Sequence, residues 1–84
     1  MRLRYEVSGR GWSEETITQD VSLHGACMEC SIPIGKGETM SIERMDIGRR
    51  AQAKVRWQKR RVDGSQLVGV EVIDCADFWG VKQV

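Results

Sequence analysis

Long apolar runs are missing from this 84-residue chain. None approaches the roughly 20 residues that carry a helix across a bilayer. The start, Met1-Arg2-Leu3-Arg4-Tyr5, lacks the apolar core of a signal peptide, so the expected location is the cytoplasm, without membrane insertion. An excess of charge of one sign is missing too. Thirteen Lys and Arg stand against twelve Asp and Glu, a net charge of +1, so bulk electrostatics does not hold the protein on nucleic acid or membrane. A local patch is still compatible with that total. Cysteine is scarce: Cys27, Cys30 and Cys75 are too few, and odd in number, for a disulfide framework. Cys27-Met28-Glu29-Cys30 has the spacing of a metal or redox pair, with His24 nearby. Read as a strand, however, it sends residues three apart to opposite faces, and no helix N-terminus is at hand to activate a thiol. No metal is expected, and the cysteines read as small buried or half-buried side chains. The length leaves room for one small domain over residues 1–84 and for a modest core, which suits a twisted sheet or barrel better than a clefted enzyme.

What is present is alternation. Arg2 to Val7 reads as a strand with Leu3, Tyr5 and Val7 on one face and Arg2, Arg4 and Glu6 on the other. Ser8-Gly9-Arg10-Gly11 is a turn. Glu15 to Val21 is a second strand, rich in β-branched residues. Ala26 to Ser31 is a third, ended by Pro33, Gly35 and Gly37. Thr39 to Met45 is a fourth, followed by Asp46-Ile47-Gly48, a tight turn with Gly48 at positive φ. The fifth is the clearest: Ala51, Ala53, Val55 and Trp57 face inward, and Gln52, Lys54, Arg56 and Gln58 outward. Asp63-Gly64 signals a hairpin, and Gln66 to Val72 is the sixth strand. The tail from Asp74, with Phe78 and Trp79, is a helical turn or an irregular cap over one barrel end. Short strands every eight to twelve residues with no helical period give an all-β protein. Closure into a small six-stranded antiparallel barrel removes the exposed edges.

The candidate site lies between the second and third strands, in Asp20-Val21-Ser22-Leu23-His24-Gly25. An aspartate accepts from the paired N–H groups of a guanine edge; a serine and the amides beside a glycine donate to phosphate. Asp20-x-Ser22-x-x-Gly25 entering a strand, the Ala53-x-Val55-x-Trp57 run, Gly69-Val70-Glu71-Val72 after a hairpin and the terminal Asp77-Phe78-Trp79-Gly80 together resemble the PilZ domain family over most of the chain. The resemblance implies a six-stranded barrel that receives cyclic di-GMP on its outer surface. Asp20 would accept from a guanine edge, Ser22 donate to phosphate or guanine, and Gly25 permit the turn and close ligand approach. The family's upstream Arg-x-x-x-Arg clamp is absent: Arg2-Leu3-Arg4 has other spacing, and Arg10 lies in the following turn. Arg56-Trp57-Gln58-Lys59-Arg60 spells the pattern in mid-strand, where it is coincidental. Either the chain begins after the arginine loop or it has lost it, and Arg2, Arg4 or Arg10 would have to substitute. Charge-assisted pairs are worth roughly 1.5–3 kcal/mol each, so binding is expected to be weak or absent in this chain alone.

Other readings compete. Asp20 and Ser22 have the chemistry to cap a turn by bonding backbone amides and bind nothing. Ser22, His24 and Asp20 do not make a hydrolytic triad, because neighbours in one turn cannot line up as nucleophile, base and orienter, and no oxyanion hole accompanies them; no catalysis is expected. The basic run from Arg49 to Arg61 has the composition of a single-strand nucleic-acid surface, but with Trp57 in the core it reads as a solvated edge. Trp12 is either a protein-contact anchor or a barrel lid. The sequence therefore supports a non-enzymatic PilZ-like bacterial signalling module for cyclic di-GMP, weakened or incomplete here and needing no cofactor. The alternatives are a PilZ-like adaptor without nucleotide binding, acting on an unknown protein partner, and a small nucleic-acid-binding barrel.

Overall fold

A computed structural model describes residues 1–7, 11, 13–22, 25–31, 33–75 and 77–80. Six strands follow in order: β1 Arg2–Val7, β2 Ser13–Val21, β3 Gly25–Cys30, β4 Thr39–Arg44, β5 Arg50–Arg60 and β6 Gln66–Val72. They close into a barrel in the order β1-β2-β3-β6-β5-β4, every pair antiparallel, with β1 paired to β4 to complete the ring. Closure satisfies the edge groups of every strand, which a chain this short cannot otherwise bury. Among the described residues no helix is long and apolar enough to cross a membrane.

Alternation fills the barrel. Leu3, Tyr5 and Val7 of β1, Met28 and Cys30 of β3, Met40 and Ile42 of β4, Ala51, Ala53 and Val55 of β5, and Val68 and Val70 of β6 form one buried cluster. Ala51 and Ala53 on β5 sit beside the larger Ile42 and Met40 of β4, a small-against-large arrangement that matches a narrow interior. Ile34, from the β3–β4 loop, joins this core. Its amide donates to Gln66 Oε1 at 2.8 Å, and Gln66 Nε2 donates to Gln58 Oε1 at 2.8 Å, so the buried amide of Gln66 is satisfied at both ends. The tail is the irregular cap. Phe78 and Trp79 are buried, with ring centroids 4.8 Å apart in an edge-to-face arrangement. Arg44 Nη1 donates to Phe78 O at 3.0 Å and Arg49 Nη1 to Asp77 O at 2.9 Å, which ties the cap to the β4–β5 turn. Gly48 and Gly64 take positive φ, 70° and 91°, as the two turns require.

Two β-bulges depart from the alternation. In β2, Thr18 pairs with Met28 and Asp20 with Cys27, so Gln19 is the extra residue. In β5, Val55 pairs with Val70 and Trp57 with Gly69, so Arg56 is the extra residue. A bulge sends the residues after it to the opposite face. The inward position expected for Trp57 is therefore corrected: Trp57 lies on the outside of the barrel, 45% exposed. The same shift brings Gln58, expected to face outward, against buried Gln66.

Candidate functional site

The β2 bulge decides where Asp20 points. Before it, Glu14, Thr16 and Thr18 turn towards the barrel; Gln19 and Asp20 are then both exposed, and Val21 turns back in. Without the extra residue Asp20 would follow Thr18 inward. The β5 bulge does the same for Trp57. The two residues are joined by one lateral row of pairs: Asp20 with Cys27, Cys27 with Gly69, Gly69 with Trp57. With strands about 4.8 Å apart, that row spans about 14 Å along the sheet. Its two middle members are small. The result is an open slot of about 300 Å³ on the outer wall, with Asp20 at one end, Trp57 at the other, Cys27 and Gly69 in its floor, and Ser22, Gly25, Arg56 and Glu71 along its side.

Gly69 has no side chain because Trp57 occupies the space: a Cβ there would collide with the pyrrole ring of the indole. Gly25 has none because β6 passes too close, and a Cβ would collide with the Val70 carbonyl. Gly25 is thus required for close strand approach rather than for a positive φ, which it does not adopt. Ser22 closes the β2–β3 turn. Its amide donates to Gly25 O at 2.8 Å, its hydroxyl donates to the same oxygen at 3.2 Å, and the Gly25 amide lies 3.3 Å from Ser22 Oγ. Among the described residues no hydrogen bond to the Asp20 side chain is seen, and its carboxylate is exposed at the end of the slot. Its charge, after burial, raises the Cys27 thiol pKa, and Arg61 offsets part of the rise. Cys30, three residues on, points inward, and burial pushes its thiol up to about 12. The two sulfurs lie on opposite faces, as the strand period requires, and no cluster of metal-ligating residues occurs among the described residues.

Of the arginines considered from sequence, neither Arg2 nor Arg4 lines the slot. Arg4 borders a separate polar depression on the β1–β4–β5 wall, with Glu43 and Arg50. Arg2 stands opposite Ile17, three residues short of Asp20 along β2. Arg10, Trp12 and His24 lie outside the described residues. The cation that does line the slot is Arg56, whose Nε donates to Glu71 Oε1 at 3.0 Å. Sequence reasoning missed Arg56, Trp57, Cys27, Gly69 and Glu71 as site residues. One signal was available, since a glycine inside the valine-rich β6 marks a close approach by another group.

An exposed Trp57 removes one objection to a nucleic-acid surface, but three of the basic side chains of that run are paired with carboxylates. Arg56 pairs with Glu71, Arg61 Nη1 with Glu29 Oε2 at 3.0 Å, and Arg50 Nε lies 3.8 Å from Glu43 Oε1. Among the described residues the slot is shallow and combines an aromatic face, two carboxylates and one guanidinium.

Residues 1–77 match the family model described as PilZ domain. No curated protein and no solved structure matches the chain.

Proposed function

The chain belongs to the PilZ domain family, whose members are non-enzymatic cyclic di-GMP receptor and adaptor modules, and from that premise we propose that it binds cyclic di-GMP in the slot between Asp20 and Trp57. The observation that carries this reading is the pair of bulges, which turns an acceptor and an aromatic face out of the barrel onto one lateral row. Bulges next to a site serve to re-aim side chains. Trp57 offers a stacking surface for a purine, and Asp20 accepts from a guanine edge. Ser22 lies along the side of the slot that would take the phosphodiester, and Gly25 keeps that wall low. Affinity is low, because among the described residues the slot sets two carboxylates, Asp20 and Glu71, against the single guanidinium of Arg56, and each missing charge-assisted pair forfeits roughly 1.5–3 kcal/mol. Arg2 is the β1 cation on the outer face nearest Asp20 along the sheet and is the candidate for supplementary phosphate contact.

The test is calorimetric titration of the folded chain with cyclic di-GMP at physiological salt, with GTP as control. Saturable heat for cyclic di-GMP alone, lost in D20A, supports the reading; no heat from a folded sample rejects it. A second reading, a PilZ adaptor that contacts a protein partner in the cytoplasm and binds no nucleotide, is favoured by the excess of carboxylates in the slot.

A further inference from the structure

The guanidinium in the slot is already engaged. Arg56 is the extra residue of the β5 bulge, so no cross-strand partner on β6 fixes its direction. Instead its Nε and Nη2 both donate to Glu71 Oε1. Glu71 lies on the outer face of β6 opposite Gly25, which presents no side chain against it. Both partners are about half exposed, 50% for Arg56 and 42% for Glu71. A phosphate entering the slot therefore meets two carboxylates and a guanidinium whose charge is taken.

We propose that Glu71 is the internal counter-ion that sets the binding threshold of this slot: it holds Arg56 in place of a phosphate, and a phosphodiester ligand is bound once it displaces the carboxylate. The proposal rests on the reading of the slot as a nucleotide site and names the residue that limits its affinity. An exposed pair of this kind is weak enough to exchange, worth about two- to five-fold in a binding constant. Exchange suits a guanidinium, which meets carboxylate and phosphate with the same fork of donors. Glu71 discriminates as well as restrains. A ligand offering one diffuse negative charge does not repay the lost pair and the repulsion from Asp20, whereas two phosphates bridged by nucleosides bring charge, stacking and edge contacts together.

The experiment titrates cyclic di-GMP and, separately, inorganic pyrophosphate (phosphate charge without a base) into wild type, E71Q, R56Q and R56Q/E71Q, each full length and shown folded by circular dichroism. The expected result is about two- to five-fold tighter cyclic di-GMP binding by E71Q, with the gain abolished when Arg56 is also replaced. A gain of this pattern for pyrophosphate, with no cyclic di-GMP binding by any protein, upholds the threshold role and overturns the nucleotide reading. Equal cyclic di-GMP binding by wild type and E71Q, or a gain that survives in R56Q/E71Q, overturns the threshold role and leaves the nucleotide reading standing. Absence of binding by all four proteins to both ligands overturns both.

Discussion

The indole of Trp57 fills the space above the backbone of Gly69 that a side chain there would need. The two residues are cross-strand partners immediately after the β5 bulge. Neither half of the arrangement works alone. The bulge brings the indole outside, and the glycine lets it settle against the sheet rather than stand off in solvent. An aromatic face is thereby held at the edge of the slot at little entropic cost, since the ring is already packed on one side.

Trp57→Ala separates a binding role from a core role. Removing a core tryptophan typically costs about 3–5 kcal/mol. Because Trp57 is half exposed, a loss of about 1–2 kcal/mol in urea unfolding is expected. Its effect on cyclic di-GMP binding is larger in proportion, about 5- to 100-fold, from the loss of one stacked base. Trp57→Phe retains part of the binding. A stability loss of core size with unchanged binding would place the indole inside the barrel after all.

Gly69→Ala tests the packing itself. The added methyl meets the indole, and a cost of about 1–3 kcal/mol is expected, as for overpacking elsewhere. In a Trp57→Ala background the cost falls towards zero, so the double-mutant cycle shows strong coupling. Gly25→Ala behaves differently. Its obstacle is the Val70 carbonyl, a backbone group that cannot rotate away, so thermal unfolding of G25A occurs at lower temperature than that of G69A.

Cys27 reports on the slot from within. It is half-buried in the slot floor, and burial together with the Asp20 carboxylate raises its thiol pKa, so alkylation by iodoacetamide at mild alkaline pH is slow. Asp20→Asn removes one cause of the rise and speeds the reaction. Saturating cyclic di-GMP slows it. Cys30, pushed up to about 12 by burial, reacts only on unfolding. Mass-spectrometric mapping of the adducts distinguishes the sites; calorimetric binding without protection of Cys27 would move the ligand elsewhere.

Glu14 sets an acid limit. Tyr5 Oη donates to Glu14 Oε1 at 2.8 Å, and both the hydroxyl and the amide of Ser31 donate to the same carboxylate. The Ser31 hydroxyl is the main cause of a carboxyl pKa below its ordinary 4.5, burial opposing it and Tyr5 adding to it. The group binds its proton less readily folded than unfolded. Its contribution is therefore complete above about 4.5 and is lost as pH falls through the lower folded value. Urea midpoints measured from pH 6 down to pH 3 should fall less steeply for Glu14→Gln than for wild type.

The strands were legible because a barrel wall imposes period two on its sequence, and β1 and the first half of β5 obey it residue by residue. The boundaries were less so. β2 begins at Ser13 rather than Glu15, and β3 at Gly25 rather than Ala26, since terminal pairing depends on the neighbouring strand. Burial of Ile34 and Gln66 was not legible either: a loop isoleucine and a strand-end glutamine carry no periodic signal, and each is buried through the hydrogen bond between them.

By itself the sequence determined the all-β class, the six strands, the turns at Gly48 and Gly64, and the Asp20–Gly25 turn as the place to look. These are local properties, written in alternation, turn chemistry and short motifs. The tertiary structure alone decided which way Asp20 and Trp57 face, that Cys27 and Gly69 lie between them, and that Arg56 rather than Arg4 is the cation in the slot. A bulge is a mismatch of count between two paired strands, two residues against one, and neither strand read singly contains it. One extra residue at Gln19 and one at Arg56 shift the register, and each carries a side chain from the core side to the surface where a ligand can meet it.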